Sequence, residues 1–296
     1  TNNSIGVAGG TENLRTYMSY THNGNQGILP NNYLQRHTLN LRIGANLTKK
    51  LSVDGKITYI NQDLKNKPRT GENSGVVMNL LKTPRSVNLD DYKVFETETG
   101  HPTYWTASGI YMNPYWTINR TFDREKRNRS IILGSAKYEI TDWLNIQGRI
   151  SFDSYTDAYE RGYSNNTLLY AAAGGNYENF VGERLERNMD VILSGNNNLG
   201  KDFSLTYNIG AGNTYNKYTE VGGLATGLSV QNKFNLNFAT VLTPVAAFSE
   251  KELQYVFGTA SLSFRDYLTI DGSLRNDWSS TLPRPYSYTY YSAGAN

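Results

Sequence analysis

The chain contains no cysteine, which excludes a disulfide framework, thiolate-held zinc and thiol catalysis. It also lacks any run of about 18 consecutive apolar residues, so no transmembrane helix is expected. Charge is scarce: 19 % of residues are charged, against roughly 25 % in soluble domains. The 29 Lys and Arg nearly cancel against 26 Asp and Glu, so the basic field of a nucleic-acid protein is missing and no such partner is expected. Aliphatic core residues are thin as well, since the 38 % hydrophobic fraction already counts 23 Tyr. At Thr1 there is neither an initiator Met nor a charged-then-apolar leader, which reads as a mature or internal piece. A transmembrane β-barrel survives all of these shortages, because its apolar signal per segment is weak.

What the chain does have is aromatic residues, at 12 %, and strict period-two alternation over long segments, which together argue against bulk disorder. Leu144, Ile146, Gly148, Ile150 and Phe152 alternate with Asn145, Gln147, Arg149, Ser151 and Asp153. The same pattern recurs from Leu39 to Thr48, from Phe203 to Gly212 and from Leu268 to Arg275. Side chains on a strand point alternately to two faces, so each segment is a strand with one apolar and one polar face. About ten strands are predicted, near 3–9, 14–22, 33–48, 51–62, 129–141, 144–157, 187–199, 203–217, 253–265 and 268–279. The tail Tyr286–Asn296 reads as the beginning of one more.

The strands are joined by two kinds of connection. Short polar turns, such as Thr48-Lys49-Lys50 and Gly200-Lys201-Asp202, alternate with long segments near 23–32, 63–128, 158–186 and 218–252. That asymmetry is the one an outer-membrane barrel shows, with short periplasmic turns and long extracellular loops. The polar face carries Arg42, Lys56, Lys137, Glu139, Arg149, Asp153, Asp271 and Arg275. Such charges would be costly between two packed sheets if unpaired but cost little beside a wet lumen. Trp143, Tyr267 and Trp278, near strand ends, read as an interfacial aromatic girdle, and Tyr286, Tyr288, Tyr290 and Tyr291 are placed there too. The expected fold is therefore all-β, an antiparallel up-and-down transmembrane β-barrel over 1–296 that is partial. Rival readings are a passive porin-like or adhesin barrel and a soluble β-rich carbohydrate-binding or glycan-degrading protein.

Six stretches, in order, resemble one family. They are Ser4-Ile-Gly-Val-Ala-Gly-Gly-Thr-Glu-Asn13, Tyr17-Met-Ser-Tyr20, Gly27-Ile-Leu-Pro30, Arg36-His-Thr-Leu-Asn-Leu-Arg42, Asn113-Pro-Tyr-Trp116 and Leu274-Arg-Asn-Asp-Trp-Ser-Ser-Thr-Leu-Pro283. Together they resemble the barrel of SusC/RagA-family TonB-dependent outer-membrane transporters. The resemblance implies a Gram-negative outer-membrane location, many spans, and a whole barrel of roughly 22 strands around a plugged lumen. It further implies import of oligosaccharides or peptides, a SusD-like lipoprotein lid, and coupling to the TonB complex. No plug and no TonB-contacting segment is legible in these residues, so the chain is read as an internal barrel fragment.

Residues that could carry chemistry are few. His22, His37 and His101 are scattered, with no carboxylate at metal-ligand spacing, so neither a metal nor a catalytic role is assigned. Asp90, Asp91, Glu96 and Glu98 form a loop acidic stretch for which calcium is the sharper reading and plain solvation the blander. No carboxylate pair stands out among the 26 acids, and no cofactor or enzymatic activity is expected. Gly210-Ala211-Gly212 sits mid-strand with no helix after it, which argues against a dinucleotide loop. The basic stretch Arg120–Arg129 reads as a solvated loop base, with an anion-selecting ring as the alternative. Asn73–Thr83 reads as a short amphipathic helix packing Val76, Val77, Leu80 and Leu81. The loop aromatics Tyr104, Trp105, Tyr111, Tyr115 and Trp116 are the candidate ligand contacts, because aromatic faces stack on sugars and hold peptide side chains; packing of the loop's own core is the competing role.

Overall fold

The computed structural model describes residues 1–69, 75–265 and 267–296. Its strands are β1 (Asn2–Gly10), β2 (Leu14–Gln26), β3 (Tyr33–Asn46), β4 (Leu51–Lys65), β5 (Thr121–Thr141) and β6 (Leu144–Ser164). They continue as β7 (Gly175–Leu199), β8 (Phe203–Leu228), β9 (Ala239–Phe264), β10 (Leu268–Trp278) and β11 (Ser287–Ala295). All are antiparallel and hydrogen-bond in sequence order with no crossover. The short connections behave as their sequences demand. The Thr48 hydroxyl accepts from the Lys50 and Leu51 amides at 3.1 and 3.0 Å, and Gly200 takes a φ of +78° that other residues adopt only under strain.

Directly opposed residues in an antiparallel sheet share a face, so the register sorts the side chains into rows. One row runs Ala45, Val53, Ala136, Gly148, Val191, Ala211 and Val256, and is apolar throughout. Displaced by a single residue, the next runs Gly44, Asp54, Ser135, Arg149, Asp190, Gly212 and Tyr255. The apolar face is uncovered: Ile209 is 58 % exposed and Val191 51 %. A sandwich would bury that face against a second sheet, whereas here a single sheet presents it outward. In β6 the apolar side chains run from Leu144 to Phe152, which spans about 20 Å along the normal at the usual rise and tilt and fits the ~25 Å lipid-facing band of such barrels. The apolar rows therefore face lipid and the polar rows face the lumen.

Eleven strands stand where about ten were expected, because the Tyr286–Asn296 tail pairs along β10 as β11. Larger differences lie at the long-loop end. β5 to β9 have 21, 21, 25, 26 and 26 residues, and they occupy most of the segments near 158–186 and 218–252 that were assigned to loops. The strands leave only 165–174 and 229–238 there as connections, with 66–120 between β4 and β5. The physical reason is that these upper halves rise beyond the apolar band. Both of their faces are wet, so the strand continues while apolar alternation stops. Gly210 and Gly212 have a packing role, since a Cβ on either would come within 2.5 Å of the Phe257 or Tyr255 ring lying across it.

The tyrosines assigned to a girdle divide. Tyr288 and Tyr290 oppose Asp277 and Arg275 on the lumen face, and Tyr290 donates to the Asp277 carboxylate. Tyr291 opposes Leu274 on the lipid face and is 85 % exposed. The register turns Tyr288 and Tyr290 inward, while Tyr286 lies in the turn before β11 with a φ of +67° and has no strand partner.

Candidate functional site

From the middle of the apolar band upward the lumen wall is a lattice of paired charges and aromatic rings. The Arg127 guanidinium grips Asp157 through two bonds, at 2.6 and 2.7 Å, and Arg149 grips Asp190 at 2.7 and 2.8 Å. Arg129 holds Asp153 in the same bidentate way. Bidentate pairs of this kind fix both side chains in orientation as well as charge. Tyr155 lies among three guanidinium groups, with Arg127, Arg129 and Arg184 at 4.6, 5.8 and 5.9 Å from its ring centre. Higher still, Asp123 binds Arg69 at 3.0 Å and Arg161 at 3.5 Å, and it accepts from the Tyr159 hydroxyl.

The basic stretch 120–129 is thus not a loop base. Arg120 ends helix α2 (Pro114–Arg120) and pairs with Glu96, while the rest lies in β5. Arg127 and Arg129 point to the lumen, and Arg124 points outward to Glu160 at 3.8 Å. Glu96 is therefore engaged by Arg120, and Asp90 by Lys93 at 2.9 Å. Among the described residues no three His, Asp or Glu converge as metal ligands. Two of the scattered histidines do meet: His22 and His37 oppose each other on β2 and β3, with ring centres 4.8 Å apart.

The described residues of the 66–120 segment fold into a small module over this wall, built on buried amides. Helix α1 (Val76–Lys82) is tied to the chain just ahead of α2 by Asn79, whose side chain donates to the Gly75 carbonyl and accepts from the Met112 amide. Asn113 caps α2 by accepting from the Tyr115 amide at 2.9 Å, and it also donates to the Tyr92 carbonyl. The expected packing of α1 through its leucines is corrected: Leu81 is 78 % exposed and fully buried Asn79 takes that place. Its residues Asn73 and Ser74 lie outside the described ones, as does Asp266 in the β9–β10 turn.

The loop aromatics are not brought into one surface. Trp116 is buried, donates from Nε1 to the Thr167 hydroxyl at 3.0 Å, and meets Phe95 edge-on. It is the module's core and is closed to any ligand, which places it with the packing role. Trp105 and Tyr111 stack on each other, 5.8 Å apart. Tyr104 is the most open, although burial of its hydroxyl raises its pKa above the ordinary value, and Tyr115 is half-buried on α2. Residues missed from sequence were Tyr155, Tyr159, Arg161, Arg184 and Tyr218 of the upper wall; an every-second-residue run of Tyr and Arg without apolar partners was their only signal.

No family model matches the chain. It is 24 % identical, over an alignment of 317 positions with gaps, to TonB-dependent receptor P3 of Formosa agariphila, covering 99 % of this chain and 30 % of that protein. Among solved structures, the RagAB peptide transporter superposes with a TM-score of 0.79 at 16 % identity, over 99 % of this chain and 33 % of the other. The siderophore receptor PiuA of Acinetobacter baumannii superposes at 0.58, with 12 % identity over 100 % and 44 %. The chain spans about a third of the length of the first two of these proteins. Its fold is that of a run of strands from a TonB-dependent barrel, and it resembles the SusC/RagA type among them.

Proposed function

We propose that the chain is part of the barrel of a TonB-dependent importer in the outer membrane of a Gram-negative bacterium. Its cargo would be oligosaccharides or peptides, and a SusD-like surface lipoprotein would close over the loop end. The observation carrying this reading is the two-faced sheet whose strands outrun the membrane. A simple pore needs only about 9–11 residues per strand, whereas β7 to β9 have 25 or 26. The excess builds a polar wall of fixed charges outside the lipid, where a large substrate is met before it enters. Tyr104 and Tyr115 remain available as ligand contacts on the loop module. Leu81 and Val94, 78 % and 74 % exposed there, offer apolar surface to a lid.

The reading is tested by uptake of labelled oligosaccharides and oligopeptides into cells that make the intact protein with its lipoprotein. Removing TonB should abolish uptake of at least one probe class. Uptake that persists undiminished without TonB would establish the passive barrel instead.

A further inference from the structure

On the lumen wall, three successive rows enclose a small cleft of about 190 Å³. The lower row is Tyr155, Arg184 and Tyr218, opposed directly across β6, β7 and β8. The middle row is Asp157, Gly182 and Glu220, and the upper row begins with the stacked pair Tyr159 and Phe180. Gly182 forms the floor: a Cβ added there would already touch the Tyr218 ring at 3.6 Å and the Glu220 carboxylate at 3.7 Å, so a larger side chain would fill the cleft.

The hydrogen-bonding state of each charged group decides what this cleft can take. Asp157 is saturated by Arg127. Arg184 is held in place by two rings, 5.9 Å from the centre of Tyr155 and 5.2 Å from that of Tyr218, yet among the described residues it has no carboxylate partner. Most other arginines of this wall do: Arg42, Arg127, Arg129, Arg149, Arg161 and Arg275 are each matched to an acid. Glu220 accepts the Tyr218 hydroxyl on Oε2 at 2.7 Å, and its other oxygen has no hydrogen-bond donor among the described residues. The cleft therefore offers one planar cation and, on the next row, one carboxylate oxygen, above a glycine floor and under an aromatic ring pair.

We propose that this cleft is a subsite for a peptide carrying a carboxylate group, an inference that rests on the import function proposed above. The guanidinium fork of Arg184 receives the carboxylate edge-on, and the tyrosine pair keeps that fork oriented before the ligand arrives. Glu220 accepts an N–H or ammonium of the same chain. The apolar part of the bound residue lies on Tyr159 and Phe180. A neutral sugar is a poor fit, because guanidinium groups already occupy the Tyr155 and Tyr218 rings on which it would stack. A polyanionic sugar would meet Glu220 as a like charge. The volume suits one residue, so the cleft is one contact along a longer ligand.

Calorimetry on the intact protein in detergent tests this with four probes: a hexapeptide with one central Glu, its Gln analogue, hexagalacturonate and maltohexaose. Charge-assisted bonds of this type are worth about 1.5–3 kcal/mol, which predicts binding of the Glu peptide ~10-fold or more tighter than its Gln analogue. Arg184→Met should erase that ratio by weakening the Glu peptide about ten-fold or more while weakening the Gln analogue far less, since a neutral amide loses only an uncharged bond, and heat-modifiable migration in gels reports that the variant is folded. Glu220→Gln should weaken both peptides. If the ratio survives in Arg184→Met, the subsite is not here. If hexagalacturonate is the tight binder and depends on Arg184, the cleft reads uronates and the peptide assignment is wrong. If the wild-type protein binds none of the four, the proposal falls together with the import function; binding without Arg184 dependence would overturn the subsite alone.

Discussion

Val191→Arg is expected to prevent insertion of the barrel, whereas Ile192→Arg, one residue along, is expected to be tolerated. Val191 sits mid-band in the outward apolar row, and Ile192 opposes Gln147 and Gly210 in the lumen row. An arginine at the midplane of the lipid face costs about 2–4 kcal/mol in such barrels, while a lumen site lets it stay hydrated. By surface accessibility alone the order would reverse, since Val191 is the more exposed of the two. The comparison isolates the solvent on each face, because backbone, strand and substitution are otherwise matched. Refolding of the intact protein into lipid vesicles, read as the heat-modifiable fraction across a urea series, gives the difference. Equal behaviour of the two variants would show that the apolar face does not meet lipid.

Trp116→Ala is expected to release the 66–120 module without unfolding the strands beneath it. Trp116, at 1 % exposure, is the largest fully buried side chain among the described residues, and its bond to Thr167 ties the module to the 165–174 loop. Truncating a buried tryptophan costs about 3–5 kcal/mol, and here the loss falls on a small unit held by a few buried amides rather than on the sheet. The same change orphans the Thr167 hydroxyl only partly, because it still donates to the Ser164 carbonyl at 2.7 Å. Limited proteolysis should show cleavage within 66–120 accelerating at least ~100-fold, as a local opening equilibrium shifted by that energy requires. Heat-modifiability should be retained. An unchanged cleavage pattern would mean that Trp116 does not hold the module down.

The sequence revealed the lower half of each hairpin well and the upper half poorly, for one reason. Where one face meets lipid, the solvent on the two sides differs, and Leu144 to Phe152 must alternate. Beyond Phe152 both sides meet water, so Ser154, Thr156 and Tyr155 obey no apolar rule although the hydrogen-bond ladder to β7 continues to Ser164. Charges inside the band, such as Arg149 and Asp153, were therefore legible as lumen residues, while Arg127 and Arg129 merged into a basic loop. The aromatic loop misled in the opposite way. Richness in rings suggested a surface for ligands, but a module of this size needs a core of its own, and Trp116 supplies it. Nothing in the local sequence marks Asn79 as the residue on which that core closes, because its value depends on the Met112 amide 33 residues away.

The unbroken order of pairing, from β1 to β11, has a consequence for how such a wall can change over generations. Each strand pairs only with its neighbours in the chain, two for β2 to β10 and one for β1 and β11, so one hairpin is a tile with its own turn and its own share of both faces. Duplicating or deleting such a tile leaves every other contact in register. Because the diameter of a closed barrel grows with the number of strands, the width of the opening can be reset by whole hairpins in a single genetic event. Lining chemistry, by contrast, shifts one side chain at a time, and the two kinds of variation proceed independently.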